Sequence, residues 1–469
     1  MPKPRWTLAI VSIALFMTAL DNLVVGVALP SIRVDLGGSI EALQWTVNAY
    51  TLSFAVLLLT GAALGDRFGR KRMFTIGLGV FTLSSAAAAL APSIEALVAA
   101  RALQGAGAAA VLPLTLTLLA EAFPPAKRGL AIGIWAATSG LGVALGPLVG
   151  GAVVEGISWH WIFWLNVPTG LVLVPLAHRM LTESHGPAGR LDVRGLLLAG
   201  IGLFGVVFGI VRAEALGWTS ATVLTSLSVG IVLVVAFLAW ERRAPAPMLP
   251  LGLFRSRGFS ATGGVGFAMF FGTFGAIFLL SQAFQTMQGL SPFEAGLRTL
   301  PWTGMPMLVS PIAGVLAGRI GSRPLMVAGL ALQAVAIFWL SQALTPTAAY
   351  GALVVPFALA GVGMALVFAP SAAAVLASVR PEQAGIASGA TNAIRELGGV
   401  MGVAVLASVF SAQGSYATPQ AFADGLDAAL PIAAAVLAVG ALVGLLVPRV
   451  RQAAEEVAPV APGPVALAS

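Results

Sequence analysis

The stretch LGDRFGRKR, residues 64–72, separates two long apolar runs and decides how the rest of the chain is interpreted. Its glycines permit a tight turn between two helices. Asp66 can pair with a neighbouring arginine or cap the next helix. Arginines alone would suit a loop beside a membrane, so the acid and the glycines indicate a more specific role.

A second segment, LAGRIGSRP at 316–324, repeats the glycine and arginine positions at an offset of 252 residues, with Gly318 in place of the acid. Two further matches occur at an offset of 256, namely QGAG (104–107) with AGVG (360–363), and GLGVALG (140–146) with ELGGVMG (396–402). Glycine- and alanine-rich helices can resemble one another by chance. Three matches at nearly one offset favour an internal repeat.

The composition indicates a membrane protein. Of the 469 residues, 58% are hydrophobic and only 9% are charged, whereas a soluble domain carries about 25% charged residues. The apolar runs are continuous and long enough for helices to cross a bilayer. They lack the alternation of an outer-membrane barrel. The predicted fold class is therefore an all-α polytopic membrane protein.

Hydropathy predicts fourteen transmembrane helices, at 6–30, 43–65, 73–91, 95–120, 129–153, 161–181, 192–212, 219–240, 259–286, 296–318, 324–344, 348–371, 384–411 and 428–448. A twelve-helix alternative would discard the pair at 192–212 and 219–240. With an N-terminus in the cytoplasm, 20 of the 25 basic residues face inward, and only Arg33, Arg212 and Arg298 face outward. This bias satisfies the positive-inside rule and predicts that both termini are cytoplasmic. It also explains the net charge of +7 without nucleic acid.

The repeat and the spans together predict a 6 + 2 + 6 arrangement. Six-helix units related about an axis along the membrane normal are a transporter architecture. The predicted parts are an N-terminal six-helix bundle, two inserted helices with their linker, a C-terminal six-helix bundle and a disordered cytoplasmic tail, at 1–186, 187–256, 257–450 and 451–469.

Several chemistries are excluded by composition. The chain has no cysteine and three histidines, and none of the histidines is paired at a spacing typical of metal ligands. No phosphate-binding G-x-x-x-x-G-K-[ST] string occurs. We therefore expect no metal, no cofactor and no enzymatic activity, and an ion gradient is the simplest energy source.

Charged residues within the apolar spans mark candidate sites, because a charge in lipid is expensive. Asp21 lies deep in span 1, where a carboxyl group can take up and release a proton near neutral pH; a structural hydrogen bond to a neighbouring helix is the alternative. Arg101 lies in span 4 near Gln104, and snorkelling to the headgroups is its alternative. Glu396 in span 13 is either a second protonation site or part of a fixed ion pair with an arginine.

Span 5 carries small residues at helical spacing. These residues build a flat face for close helix packing, and the proline can kink the helix; they are Gly142, Gly146, Pro147, Gly150 and Gly151.

These strings resemble the major facilitator superfamily, and in particular its fourteen-helix drug/proton antiporters. The resemblance implies that the 64–72 loop is a conformational latch, through Asp66, Arg67, Gly69, Arg70 and Lys71. It implies that the Arg101 string takes part in proton coupling and that the span-5 string is the antiporter motif. The string around Asp21 resembles the first-helix motif of the same branch.

The resemblance implies a proton-coupled antiporter that exports drugs, antibiotics or dyes across the cytoplasmic membrane of a bacterium by alternating access. Its partners would be a small amphipathic organic substrate, protons and the lipid bilayer, and we expect a monomer. The candidate cavity residues are Gln44, Asn48, Tyr50, Gln282, Trp302, Met305 and Asn392. The alternatives are a dedicated exporter of one self-made metabolite and a membrane sensor or scaffold that transports nothing.

Overall fold

The computed structural model describes residues 4–185, 192–245, 247, 249–379 and 384–448. Throughout these ranges the regular structure is helical. The α-helices are α1 (Pro4–Leu36), α2 (Ile40–Phe68), α3 (Arg70–Ala89), α4 (Ile94–Ala122), α5 (Pro125–Gly156), α6 (Trp161–Trp164), α7 (Asn166–Met180), α8 (Val193–Leu216), α9 (Ala221–Glu241), α10 (Arg257–Gln288), α11 (Pro292–Thr303), α12 (Met305–Ile320), α13 (Ser322–Ala343), α14 (Tyr350–Ala377), α15 (Ala384–Gln413) and α16 (Pro419–Gly444). The predicted tail at 451–469 lies outside the described residues.

The helices have the length and composition of membrane spans. In the described ranges, twelve spans are long and apolar enough to cross a bilayer when α6 with α7 and α11 with α12 each count as one, or thirteen if the bent α2 also counts as one span. A shorter apolar stretch, Leu145–Gly156, lies in α5. Both helices of the pair that a twelve-span model would discard, α8 and α9, are among the twelve. The chain is thus a multi-pass α-helical membrane protein, while the total of fourteen spans and the cytoplasmic termini stay predictions.

One predicted span is interrupted between two prolines. The span at 296–318 divides at Gly304 into α11 and α12, with Pro301 and Pro306 on either side of the break. Neither proline has an N–H to donate, so the helical ladder is weakened on both sides. Hydropathy averages over such a break and does not reveal it.

The last helix begins nine residues earlier than the predicted start at 428. The Thr418 hydroxyl accepts a hydrogen bond from the Ala421 N–H at 3.1 Å, and Pro419 occupies the first turn. Both features are typical of a helix start. Asp424 and Asp427 are exposed residues in this early part of the helix.

The two halves pack in the same order. In the first half α1 packs on α5, while α4 packs on α2 and α3, and α7 packs on α3. In the second half α10 packs on α15, while α14 packs on α12 and α13, and α16 packs on α13. The halves meet where α5 contacts α11 and α2 contacts α15, which are equivalent pairs once the halves are exchanged.

The close helix crossings also repeat. A Cβ at Gly105 would lie 2.2 Å from the Tyr50 carbonyl oxygen, and a Cβ at Gly361 would lie 2.3 Å from that of Trp302. The two glycines, and likewise Tyr50 and Trp302, are separated by the same offsets as the sequence matches. The repeated glycines therefore mark places where helix backbones approach closely. These contacts agree with the predicted repeat, and the division at 186 and 256 stays a prediction.

The inserted pair is attached at the seam between the halves. Helices α8 and α9 pack on each other, and α8 also lies against α2 of the first half and α15 of the second. The Ser408 hydroxyl on α15 donates to the Ile210 carbonyl on α8 at 3.2 Å. The pair therefore contacts both halves.

Candidate functional site

A buried ion pair lies inside the first half. Arg101 on α4 donates through Nη1 to Asp21 Oδ2 on α1 at 2.6 Å, and each residue is only 1% exposed. Arg101 therefore does not snorkel to the headgroups, which was the alternative interpretation. Burying two charges is costly unless geometry and further hydrogen bonds compensate, so the surroundings of this pair matter.

Asp21 has the hydrogen bonds that its burial requires. Its Oδ1 accepts from Gln104 Nε2 at 2.8 Å and from Asn166 Nδ2 at 2.7 Å. The same two amide nitrogens lie 2.6 Å and 3.0 Å from Ser85 Oγ. Helices α1, α3, α4 and α7 thus converge on one carboxylate. Bonds to neighbouring helices were the structural alternative for Asp21; they neither require nor exclude proton exchange.

Arg101 is held from its other sides by neutral groups. Its Nη1 donates to Gln104 Oε1 at 2.7 Å, and its Nε donates to the Thr46 carbonyl at 3.2 Å. The guanidinium carbon lies 4.3 Å from the ring centre of Tyr50 and 5.8 Å from that of Phe163. Carbonyl oxygens and aromatic faces both stabilise a cation. Arg101 therefore keeps several favourable contacts when Asp21 is neutral.

The sequence identified Asp21, Arg101 and Gln104, but it missed two members of this network. Asn166 follows a tryptophan-rich string in span 6, so a polar residue in an apolar span could have revealed it. Ser85 gave no signal, because serine is common in transmembrane helices. Their positions depend on the packing of α3 and α7 against α4, which one sequence does not specify.

Arg101 has no charged counterpart at the equivalent position of the second half. At the repeat offset of 256, Phe357 stands where the first half has Arg101. Its ring centre lies 6.1 Å from that of Trp302 and 5.9 Å from that of Phe284, so the equivalent place holds an aromatic cluster. Trp302, a predicted cavity residue, is 2% exposed and its Nε1 has no hydrogen-bond partner among the described atoms.

A second polar group lies on α15. Arg395, 6% exposed, donates to Ser371 Oγ at 2.6 Å and to Asn392 Oδ1 at 3.3 Å. Glu396 is partly buried and lies close enough to Tyr50 for electrostatic interaction across the seam. In the described part of the chain Glu396 has no ion pair, and Arg395 bonds to neutral groups instead. Whether Glu396 carries a proton stays a prediction.

The 64–72 loop is organised by three acids. Arg70 lies 2.7 Å from Asp66 and also pairs with Glu121 at the end of α4. Glu183 accepts from the N–H groups of Lys71 at 2.9 Å and Arg72 at 3.1 Å, where α3 begins. A carboxylate is favourable at a helix N-terminus. The sequence identified Asp66 but missed Glu121 and Glu183, which are distant in the chain.

Two other members of the predicted latch have local roles. Gly69 adopts φ +106°, a conformation that glycine accepts readily, and so permits the turn between α2 and α3. The Arg67 guanidinium lies 5.2 Å from the ring centre of Phe68.

The span-5 glycines serve two different contacts. A Cβ at Gly142, Gly146 or Gly150 would meet α1 of the same half, at distances of 3.0, 2.7 and 3.1 Å. A Cβ at Gly151 would lie 2.4 Å from the Pro292 carbonyl of α11, in the other half. Reciprocally, a Cβ at Gly296 would lie 2.2 Å from the carbonyl of Pro147. The motif therefore joins α5 to its own half and also to the opposite half.

Hydrogen bonds close the seam at the end predicted to face outward. Ser281 Oγ on α10 donates to the Gly26 carbonyl on α1 at 3.1 Å, and Gln285 Nε2 donates to the Val27 carbonyl at 2.9 Å. These bonds hold α1 and α10 together across the two halves. The structure therefore has its outward ends joined.

An aromatic contact reinforces that closure. The Arg33 guanidinium lies 4.1 Å from the ring centre of Tyr416, and the Tyr416 hydroxyl donates to Gln282 Oε1. Burial raises the pKa of the Tyr416 phenol, so the group is a neutral hydrogen-bond donor at physiological pH. Gln282, a predicted cavity residue, also donates to the Phe278 carbonyl at 2.6 Å.

Gln44 and Asn48 are the most unusual of the predicted cavity residues. Both are 0% exposed, lie one turn apart on α2, and have no partner among the described atoms for any amide oxygen or nitrogen. A buried polar group without a partner is costly and needs an explanation. Met305 begins α12, where it lies beside Gly361 of α14.

Comparisons with known proteins agree with this arrangement. The Major Facilitator Superfamily model matches residues 11–403 and also 262–469. The cephamycin export protein CmcT of Amycolatopsis lactamdurans is 39% identical over 443 residues, covering 92% of this chain and 90% of the relative. The tetracenomycin C resistance and export protein of Streptomyces glaucescens is 34% identical, with coverages of 95% and 83%.

Two further proteins extend the comparison. The multidrug resistance protein Stp of Mycobacterium tuberculosis (strain CDC 1551 / Oshkosh) is 37% identical over 408 residues, covering 87% of this chain and 76% of the relative. A crystallised POT family transporter superposes with a TM-score of 0.71 over 94% of this chain and 95% of its own, at 14% identity, which supports the fold alone. The helical architecture, the repeated packing and these matches lead to one conclusion: the chain belongs to the Major Facilitator Superfamily.

Proposed function

We propose that this protein exports small amphipathic organic compounds, such as antibiotics and dyes, across the cytoplasmic membrane of a bacterium in exchange for protons. The buried Asp21–Arg101 pair carries the proposal, because charged residues inside a transmembrane bundle usually mark ion or proton pathways. Relatives named as antibiotic export and multidrug resistance proteins support the direction and the substrate class. A transporter of this kind performs no enzymatic reaction and needs no cofactor.

Proton uptake by Asp21 would remove the ion pair. Asn166 and Gln104 would keep hydrogen bonds to the carboxyl group, and Arg101 would keep the Thr46 carbonyl and the Tyr50 ring. Removing one partner of a buried pair costs about 3–5 kcal/mol. An interaction of that size shifts a two-state equilibrium by more than a hundred-fold, so protonation of Asp21 can bias one conformation over the other.

The proposed cycle begins with a protonated carboxyl in the outward-facing state. The seam then closes through the α1–α10 bonds described above, the proton leaves Asp21 to the cytoplasm, and substrate enters from that side. Glu396, on the opposite wall near Tyr50, is proposed as a second proton site. The 1–186 and 257–450 bundles move as the two bodies, and the protein works as a monomer.

Gln44 and Asn48 are proposed to bind the polar part of the substrate. Their amide groups have no partner among the described atoms, so they would offer four hydrogen-bonding atoms to a substrate that enters from the cytoplasmic side. Amides donate and accept without charge, which suits substrates that differ in sign.

A dedicated exporter of one metabolite is the second candidate, because some relatives are named for a single antibiotic. Efflux of a cationic dye, an anionic dye and a neutral antibiotic from cells that express the protein distinguishes the two. Export of at least two classes supports broad specificity, and export of none or one supports the dedicated transporter.

Collapsing the pH gradient should stop uphill efflux, whereas removing sodium should leave it unchanged. Asp21 provides a buried carboxyl group that is available for a proton. Dye uptake into inside-out vesicles, which corresponds to efflux from the cell and is driven in turn by a pH gradient and a sodium gradient, measures this. Efflux that follows sodium would overturn proton coupling and leave the fold assignment intact.

We expect Asp66→Ala to lower transport several-fold while substrate binding persists. The loop lies at the cytoplasmic end, too far from a midplane site to contact substrate. Arg70 would keep Glu121, so the loop should stay folded. Losing a charge-assisted hydrogen bond costs about 1.5–3 kcal/mol. Because we propose that Asp66 stabilises the outward-facing state more than the state described here, its loss should move the balance toward the inward-facing state.

The measurement uses the absence of native cysteines. A cysteine at Ala393, on α15 where it packs against the core of the first half, should react faster with a thiol reagent in the Asp66→Ala protein. Glu294→Ala, an exposed acid at the start of α11, serves as the control. Unchanged labelling combined with lost substrate binding would contradict the role as a latch.

A further inference from the structure

A groove of about 810 Å³ lies between α2, α4 and α8, where the inserted pair meets the first half. Four of its lining residues are small, namely Ala49, Ala99, Ala102 and Gly200. Larger side chains at these positions would fill the space. Small-molecule sites usually enclose about 300–1,000 Å³, so the groove can hold a drug-sized ligand. We call it the lateral groove.

The wall of the lateral groove is apolar and partly aromatic. The ring centres of Trp45 and Phe204 lie 5.5 Å apart, and Phe208 lies 5.7 Å from Phe204 behind them. Leu197 and Ile201, each 55% exposed, stand at its edge on α8. Exposed aliphatic groups on a transmembrane helix face lipid, so the groove opens sideways into the bilayer.

Three charged residues stand at one end of the lateral groove, where α2 and α4 begin. Arg212 Nε lies 2.9 Å from Glu41 Oε1, so these two charges compensate each other. Glu95, an exposed residue in the first turn of α4, adds a second carboxylate to the same lining. The end of the groove therefore carries one excess negative charge, which is complementary to a cation.

The lateral groove is separate from the ion-pair network. Trp45, Ala49 and Val56 face it from α2, whereas Tyr50 lies against Arg101 on the other side of the same helix. Asp21 and Arg101 are not part of its lining.

We propose that the lateral groove binds a membrane-dissolved organic cation with a flat aromatic body. The aromatic body lies against Trp45 and Phe204, the small residues provide its space, and the positive group lies beside Glu95. Aromatic faces add to the attraction for a cation. Binding at this site needs no gradient and does not depend on proton coupling or on the direction of transport.

The test compares trimethylammonium-diphenylhexatriene with uncharged diphenylhexatriene, which has the same apolar body without the cation. Purified protein in phosphatidylcholine nanodiscs is titrated with each probe, and energy transfer from tryptophan is recorded. Trp45→Phe should reduce the saturable part of the signal, because Trp45 lines the groove and is one of the ten tryptophans that can transfer energy to the probe. We expect saturable binding of the cation and weaker binding of the neutral probe.

Two variants test the negative charge at the end of the lateral groove and the space inside it. Glu95→Gln should weaken the cation about two- to five-fold, the size expected for a partly exposed ion pair, and leave the neutral probe unchanged. Asp427→Asn, an exposed acid near the start of α16, is the matched control. Gly200→Phe should weaken both probes about ten-fold or more by filling the groove. A Cβ at Gly200 meets only Val56 Cγ1 at 3.4 Å, so the backbone can accept the substitution.

Gly314→Phe, at an exposed position of α12 with nothing within 4 Å, controls for adding a phenyl group to the lipid-facing surface. Equal affinity for the two probes with no effect of Glu95→Gln would overturn the assignment of a cation. Undiminished binding in Gly200→Phe would overturn the groove as the site. Phospholipid that co-purifies with the protein, is lost in Gly200→Phe and is not displaced by the cationic probe would make the groove a lipid site instead.

Discussion

Asp21→Asn should abolish uphill efflux driven by a pH gradient, with a residual rate within background. The amide keeps the shape of the carboxyl group and can still bond to its amide neighbours, but it cannot exchange a proton. It also leaves Arg101, which is 1% exposed, without its counter-charge. Because breaking a buried pair costs about 3–5 kcal/mol, thermal stability should fall as well.

A double variant separates those two effects. Asp21→Asn combined with Arg101→Gln removes both charges, so much of the lost stability should return while transport stays absent. Efflux in proteoliposomes and the melting temperature in detergent are measured on the same preparations. Asp427→Asn is the control for removing an exposed acid. Uphill efflux by the Asp21→Asn protein at the rate of the unsubstituted chain would refute the proton-carrier role.

Gly151→Leu should eliminate transport by preventing closure of the outward seam. A Cβ at this position would lie 2.4 Å from the Pro292 carbonyl and 2.6 Å from the Phe293 Cα, both in the opposite half. No Cβ is tolerated at such distances, so α5 and α11 must separate. Because the clash lies between the halves, each half should still fold, and the protein should accumulate in an outward-open state.

Gly156→Leu is the matched control, because it places the same side chain on the same helix with nothing within 4 Å of the Cβ. A cysteine at Ser281, 6% exposed beside Gly26, reports on the seam. An impermeant thiol reagent applied from outside should label Ser281→Cys many-fold faster when Gly151 is replaced than when Gly156 is replaced. Slow labelling in both, together with normal export, would show that this crossing does not govern closure.

The fold class and the centre of the site could be predicted from the sequence because each left a local signal. Continuous apolar runs indicated membrane helices, and charges inside those runs indicated Asp21 and Arg101. The break at Gly304 and the early start of α16 were missed, since hydropathy does not report on prolines or capping groups. Ser85, Glu121 and Glu183 were missed because their importance comes from helix packing that joins distant parts of the chain.

The glycines of span 5 also show what could not be predicted from the sequence alone. The sequence marked Gly142, Gly146, Gly150 and Gly151 as one packing face because of the spacing of small residues. Only the arrangement of helices distinguishes the first three, which face α1, from the last, which faces α11. A one-residue step around a helix changes the partner from the same half to the opposite half.

The aromatic cluster at Phe357 indicates which residues the proposed coupling of transport to a proton gradient would need. At the position equivalent to Arg101 the second half has this aromatic cluster, and the helices around it still pack in the order found in the first half. The charged residues are therefore not needed for the architecture. On the proposal that Asp21 and Glu396 are the proton sites, a chain with neutral residues at both positions and phenylalanine at Arg101 would be expected to behave as a uniporter, which lets its substrate equilibrate across the membrane without coupling to the proton gradient.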